Sequence, residues 1–140
     1  MHLNFKASLV MAPLIFLLAC GNKETSRKDV QSDLTAAISL ASEAETFISY
    51  IGQGRSTYSF ASGHLHYLLN EVNQSAQELS NLNAPPNLTN ALNIDRVQLR
   101  LLALQIQNVQ RHLQQPSVLA ASEQQIRQIR TTLVQANSSL

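Results

Sequence analysis

The sequence predicts an all-α protein, an antiparallel up-down-up-down four-helix bundle. Apolar residues recur at alternating spacings of three and four through four long segments, which is the period of a helix with one buried face. Short breaks between these segments hold most of the glycine and proline, and the chain has only four of each. Connections of a few residues between helices of similar length favour antiparallel neighbours.

The first helix is predicted over about 29–51. A Gly-Gln-Gly sequence ends it, because glycine can adopt the left-handed conformation that closes a helix. The second is predicted over about 57–82 and begins near Ser56 or Thr57, whose hydroxyl groups suit an N-cap. Their predicted core faces are Val30, Leu34, Ala37, Ala41, Ala44, Ile48 and Ile51 for the first, and Tyr58, Ala61, Leu65, Leu68, Val72, Ala76, Leu79 and Leu82 for the second.

The third helix is predicted over about 87–114, after the break at Pro85 and Pro86. The fourth is predicted over about 117–137, with Pro116 near its first turn, a position that proline tolerates. Their predicted core faces are Leu92, Leu99, Leu102, Ile106, Val109 and Leu113, and then Leu119, Ser122, Ile126, Ile129, Leu133 and Ala136.

The charge distribution supports folding of the first half of the chain onto the second. Residues 29–82 carry six acidic residues and one arginine, a net charge of −5, whereas residues 87–140 carry five arginines and two acidic residues, a net charge of +3. Each exposed ion pair stabilises little, but the sum favours this arrangement.

The N-terminus has the features of a secretory signal peptide. Lys6 precedes an apolar segment of twelve residues, 7–18 (ASLVMAPLIFLL). A membrane-spanning helix needs roughly 20 apolar residues, so this segment is too short to span. A basic start followed by a short apolar region is typical of a signal peptide, predicted here over residues 1–19.

The Leu17-Leu18-Ala19-Cys20 sequence resembles the lipobox of bacterial lipoproteins, in which Leu, a variable residue, Gly or Ala, and Cys follow one another. The resemblance implies cleavage before Cys20 and a covalent lipid, including palmitate, on that residue. Residues 20–28 then form a polar tether. Because Gly21 rather than Asp follows the cysteine, the resemblance favours the outer membrane facing the periplasm over the inner membrane. The alternative is a plain secreted protein with a chance cysteine.

Composition excludes several kinds of function. Without Lys6 the chain has nine basic and nine acidic residues, so nucleic acid is not an expected partner. One cysteine allows neither an internal disulfide nor a haem-attachment motif. The sequence lacks Glu-x-x-His pairs, HExxH, GxSxG and glycine-rich phosphate loops. We therefore expect no enzyme activity, no resident metal and no cofactor other than the lipid.

The histidines are not expected to share a metal. His64 and His66 are two residues apart and point to different faces of one helix. Folding the second and third helices back on each other leaves His112 about 12 Å along the bundle axis from His64. The simpler expectation is that the histidines flank the core and pair with carboxylates, with Glu45 level with His64.

Two further stripes of side chains are candidates for binding. On the third helix, Ile94, Val97, Leu101 and Leu104 lie about 140° from the core face, which indicates either an exposed partner surface or a central helix buried on both faces. On the second helix, Phe60, His64, Tyr67 and Glu71 flank the core. Fold-back places the two stripes level, with Glu71 near Arg96 or Arg100. They form either one binding patch or an aromatic cover over the seam.

The main functional hypothesis is a lipid-anchored helical bundle that binds another protein or itself through its second and third helices. Ile94, Val97, Leu101 and Leu104 would supply apolar area, and Phe60, His64 and Tyr67 specificity. The alternative is a carrier or sensor of a small ligand in the periplasm. Its expected site is a cavity beside the small residues of the first helix, Ala36, Ala37, Ala41 and Ala44.

Overall fold

The computed structural model of the protein describes residues 24–140. They form four α-helices: α1 (Arg27–Gly52), α2 (Tyr58–Ser80), α3 (Pro86–Arg111) and α4 (Pro116–Ser138). This confirms the predicted all-α four-helix fold, and no helix end differs from its prediction by more than three residues. The predicted signal peptide, Cys20 and the next three residues of the predicted tether, 21–23, lie outside the described residues.

Local hydrogen bonds set the helix ends. The Ser26 hydroxyl accepts a bond from the Asp29 backbone N–H at 3.2 Å, and the Asp29 carboxylate accepts one from the Ser26 N–H at 2.9 Å. This capping box starts α1 two residues earlier than predicted. Thr57 caps α2 through its hydroxyl, and Gly54, with a φ of 69°, turns the chain after α1.

The helices follow one another around the bundle in chain order. Among the described residues, α2 and α4 make no contact, whereas α1 packs most closely on α4 and also reaches α3 across the centre. Arg127 and Arg130 of α4 each donate a hydrogen bond of 2.8 Å to Glu45 of α1. These bonds join the acidic first half to the basic second half, as the charge distribution predicts.

One continuous hydrophobic core fills the space between the helices. Most residues of the four predicted core faces are buried, and Ile51, Ala76, Leu82 and Leu113 are half-buried at its margins. Tyr58 was predicted to be core but is exposed, because it is the first residue of α2 and the packed part of that helix begins one turn later at Ala61.

The end of the bundle that holds the start of α1 is here called the base. There the Thr25 N–H donates a 3.1 Å hydrogen bond to the carbonyl of Asn83, in the connection between α2 and α3. Thr25 is buried by this contact. Thr25, two residues before α1, is therefore held against the α2–α3 connection.

Candidate functional site

Three aliphatic side chains of α3 face solvent in a row. Val97, Leu101 and Leu104 are 50%, 40% and 57% exposed and follow one another at spacings of four and three. We call them the α3 row. Ile94, the fourth residue of the predicted stripe, instead packs partly buried against the core. The alternative of a central helix buried on both faces is therefore wrong for three of the four residues.

A cluster of aromatic rings lies between α1 and α2. Phe47 of α1 is buried, and its ring centroid lies 4.3 Å from that of His64 and 5.8 Å from that of Phe60, both on α2. Phe60 stacks on His64 with ring planes 9° apart. Tyr67 continues the stripe on α2, its ring 5.9 Å from His64, and is exposed.

Phe47, Phe60 and His64, together with Tyr50, line an open groove of about 600 Å³, here called the aromatic groove; Tyr67 is not part of its lining. The His64 Nε2 atom lies 3.2 Å from a carboxylate oxygen of Glu43 at its edge. The expected pairing of His64 with Glu45 is wrong, because Glu45 points towards α4 and binds Arg127 and Arg130. The groove is lined by Ser42, Glu43, Thr46, Phe47, Tyr50, Phe60 and His64.

The two predicted stripes do not combine into one patch between α2 and α3. Phe60 and His64 make their ring contacts with α1, on the other flank of α2. The predicted approach of Glu71 to Arg96 or Arg100 is also not observed, since none of the ion pairs among the described residues includes Glu71. The Arg96 guanidinium instead donates hydrogen bonds of 2.7–2.9 Å to the backbone carbonyls of Leu79 and Leu82 at the end of α2.

The alanines of α1 do not border a cavity of the kind that the ligand hypothesis requires. Ala37, Ala41 and Ala44 are at most 1% exposed within the core. Ala36 is exposed and borders a different feature, an open groove of about 460 Å³ at the base of the bundle between α1 and α2.

Asp95 is a core residue that the sequence reasoning missed. Its exposed fraction is 0%, and neither carboxylate oxygen has a hydrogen-bond partner among the described residues. Burial, with a further contribution from Asp33 of α1, raises the pKa of Asp95 to about 7. The sequence did contain an indication of this position. The predicted core face of α3 runs from Leu92 to Leu99, two helical turns, with no core residue assigned at the turn between them. Asp95 fills that position.

No group of three or more His, Cys, Asp or Glu side chains within residues 24–140 is arranged to hold a metal ion. In the same part of the chain, none of the helices combines the length and apolar character needed to cross a membrane. Comparison of the chain with protein-family models, with curated proteins and with solved structures gave no match. The geometry of the described residues is thus the basis for a functional proposal.

Proposed function

We propose that this protein is a lipid-anchored component of the bacterial cell envelope that binds another protein, or a second copy of itself, through the α3 row, without catalysing a reaction. The observation that carries this proposal is the exposure of Val97, Leu101 and Leu104 in one line on a well-packed helix. The other apolar face of α3 is already buried in the core. An additional, exposed line of aliphatic side chains on such a helix is typical of a partner surface.

The spacing of the α3 row defines the kind of partner that fits. Positions 97, 101 and 104 correspond to i, i+4 and i+7, the anchor pattern by which one helix packs against another helix or a helical groove. Because the row projects from the middle of α3, a partner helix could lie along it without disturbing the core. An apolar, helical segment is therefore the chemistry that this surface would recognise.

The aromatic groove is a second surface, on a different side of the bundle. Phe60, His64 and Tyr67 were predicted to give specificity to the same patch, but here they would contact a different part of a partner. In the proposal, Phe60 and Tyr67 supply exposed aromatic area and the Glu43–His64 pair supplies polar contacts. A partner that touches both surfaces would have to wrap around α2.

The anchoring part of the proposal is supported by the lipobox-like sequence that ends at Cys20. Four residues lie between Cys20 and Thr25, which is bonded to the base of the bundle, and the five residue steps from one to the other span at most about 18 Å. The base would then face the lipid surface. Replacement of Cys20 by Ser should abolish metabolic labelling with a fatty acid and release the protein from the membrane fraction, whereas unchanged labelling would contradict the proposal.

Site-specific photo-crosslinking in cells tests the α3 row directly. A photoreactive amino acid at Leu104 in the full-length chain should give one discrete adduct. Its mass distinguishes a second copy of the chain from a different protein. In the same cells, Leu101→Asp should abolish the adduct while circular dichroism shows unchanged helicity, because Leu101 is 40% exposed.

Val134→Asp is the matched control for that variant. Val134 of α4 is also an exposed aliphatic residue, but it lies on another face of the bundle. The control should leave the Leu104 adduct unchanged. Equal loss of the adduct in the two variants would show that any added surface charge interferes with crosslinking. Loss of helicity in Leu101→Asp would show that Leu101 is needed for folding. Either result would count against the proposal.

A second candidate function, binding of a small apolar or aromatic ligand, is favoured by the aromatic groove. Its lining combines three aromatic rings with a histidine beside a carboxylate, as small-molecule sites often do. The fluorescent probe 1-anilinonaphthalene-8-sulfonate should bind the native protein, and Phe60→Ala should weaken that binding. Tyr58→Ala, which removes an exposed ring outside the groove, should not. Equal binding by all three proteins would exclude this site.

A further inference from the structure

Asp95 occupies a position in the core that an apolar residue would normally fill. It lies on the same face of α3 as Leu92 and Leu99, and all three are at most 1% exposed. Both carboxylate oxygens lack a hydrogen-bond partner in the described part of the chain. Burial of a carboxylate without hydrogen bonds strongly favours its neutral form, because the ionised form loses its hydration and gains nothing in return.

The charged groups around Asp95 do not neutralise it. From α1, the group that faces it is Asp33, another acid, which is close enough to disfavour ionisation of Asp95. From α2, Glu78 acts on Asp33 in the same sense, as does Asp29 on α1 itself. The acid-lined groove at the base also contains Glu24.

The nearby basic groups are used elsewhere. Arg96, the next residue along α3, is turned towards α2, where the carbonyls of Leu79 and Leu82 hold its guanidinium. On α4, no charged side chain follows Arg130 in the sequence, and Arg130 is bonded to Glu45. Acids therefore face Asp95 without a compensating cation from α1, α2 or α4.

We propose that Asp33 and Asp95 form a pH-sensitive latch at the base of the bundle. While Asp95 carries a proton, α1, α2 and α3 pack tightly there. When Asp95 loses its proton, a buried negative charge stands opposite Asp33, and the base loosens while the opposite end, held by Glu45 and the α4 arginines, stays closed.

The direction of the pH effect follows from the electrostatics. Burial and Asp33 raise the pKa of Asp95 from 3.8 to about 7, so between these values the unfolded chain releases a proton that the folded chain keeps. The folded state therefore becomes less stable as the pH rises from about 4 to 7. Burial, Asp29 and Glu78 also raise the pKa of Asp33, which acts in the same direction.

Few contacts hold the base together, and they indicate which segments should loosen first. The Thr25–Asn83 hydrogen bond fixes the entry to α1, and the Arg96 hydrogen bonds fix the end of α2. Both lie near the acid pair. Loosening should therefore expose backbone amides in the first turns of α1 and the last turn of α2 before those of the rest of the bundle.

The test compares the full-length chain in mild detergent with its Asp95→Asn variant, which keeps the shape of the side chain but cannot ionise. Urea unfolding at pH 5 and pH 8 gives the folded-to-unfolded ratio at each pH. Relative to the variant, the wild-type ratio should fall by a factor of roughly 100 between these pH values, since about two units of the interval between the unfolded and folded pKa values of Asp95 lie above pH 5 and each is worth about tenfold. Glu123→Gln, an acid on α4 bonded to Arg127, is the control and should keep the wild-type profile.

Two further measurements make the outcome decisive. Amide hydrogen exchange, corrected for its intrinsic pH dependence, should show that protection at the base falls as the pH rises in the wild type and not in Asp95→Asn. The carboxyl carbon resonance of Asp95 should titrate near neutral pH. An identical pH profile for wild type and Asp95→Asn, or titration of Asp95 below pH 5, would overturn the latch; the resonance decides the matter even if the variant fails to fold.

Discussion

Glu45 and Asp95 are acids of the same bundle in opposite surroundings. Glu45 lies on α1, its side chain 14% exposed, and each of its oxygens accepts a 2.8 Å hydrogen bond from an arginine of α4. Asp95 lies on α3 with both oxygens unpartnered among the described residues. Partial burial would raise the pKa of Glu45, but the bonds from Arg127 and Arg130 outweigh it and lower the pKa, whereas the pKa of Asp95 is raised.

Hydrogen-bond partners decide whether a buried or partly buried acid stabilises this fold. A carboxylate that keeps hydrogen bonds to cations remains charged at little cost, whereas one that is buried without them destabilises the folded state whenever it is ionised. The two acids also lie at different levels of the bundle. The paired acid ties α1 to α4, and in the proposed latch the unpaired acid, once ionised, would weaken the packing of α1 on α3 at the base.

Removal of the unpaired acid should have the largest effect. Asp95→Leu, which matches the apolar neighbours one turn away, should raise the free energy of unfolding by about 2–4 kcal/mol at pH 8, because it removes a buried charge without a partner. The gain should be smaller at pH 5, where Asp95 is neutral. Urea unfolding followed by circular dichroism measures both values.

Leu99→Ala is the control for Asp95→Leu. It changes a fully packed leucine on the same face of α3 and should destabilise the fold by about 2–5 kcal/mol at either pH. A loss of stability in Asp95→Leu comparable to that in Leu99→Ala would mean that position 95 has no room for a leucine, and that the acid contributes to packing.

Removal of the paired acid should have the opposite sign and the opposite pH dependence. Glu45→Gln should lower the free energy of unfolding by about 1–2 kcal/mol at pH 7, since charged hydrogen bonds become neutral ones. The folded-state pKa of Glu45 lies below its ordinary value of 4.5, so its stabilising effect is present above that pH and is lost as the pH falls further. Unfolding measured at pH 7 and pH 3 should show a smaller deficit of Glu45→Gln at pH 3 than at pH 7. A deficit of equal size at pH 3 would assign it to packing and not to charge.

Together the two acids predict where the wild-type protein is most stable. Glu45 no longer stabilises the folded state in strong acid, and Asp95 increasingly destabilises it as the pH rises towards 7. The maximum should therefore lie at mildly acidic pH. This conclusion does not depend on the function of the protein.

Most of the fold could be predicted from the sequence because the apolar period is regular. Val30, Leu34 and Ala37 repeat on α1, and the same pattern continues on the other helices, so helix number and core faces follow from it. The breaks are marked by residues with few conformational options, such as Pro86 and Gly54. Helix ends were less certain, because the Ser26–Asp29 capping box extends α1 beyond its apolar pattern.

The candidate site was harder to predict because it depends on which helices are neighbours. The angular argument identified Val97, Leu101 and Leu104 as a second apolar stripe, but it left open whether neighbouring helices would bury them, and the structure shows that they are exposed. The partners of His64 and Glu45 depend on how α1 is rotated about its axis relative to α2 and α4. Counting residues back from a turn gives only the position of a residue along the bundle axis and not this rotation. Glu43 and Glu45 are level within two residues but face different helices.

The two arginines that hold Glu45 should contribute unequally. Arg130 is 36% exposed and Arg127 is 56% exposed, although both lie 2.8 Å from the carboxylate. Because solvent screens the more exposed pair, Arg130→Gln should cost about 0.5–1 kcal/mol at pH 7 and Arg127→Gln should cost less. Raised salt should reduce both effects. A larger loss for Arg127→Gln would show that its second bond, to Glu123, contributes more than screening removes.

The Glu43–His64 pair should show the smallest effect of charge. Glu43 is 47% exposed, so its contact with His64 at 3.2 Å is largely screened, and Glu43→Gln should change the free energy of unfolding by less than about 0.5 kcal/mol. His64→Ala should cost more, because the imidazole ring packs 4.3 Å from the buried Phe47 ring and its removal leaves that contact empty. Urea unfolding of both variants at pH 7 separates the two contributions. If Glu43→Gln proved as costly as His64→Ala, the Glu43–His64 contact and not ring packing would hold the aromatic groove together, and Glu43 would resemble Glu45 in spite of its exposure.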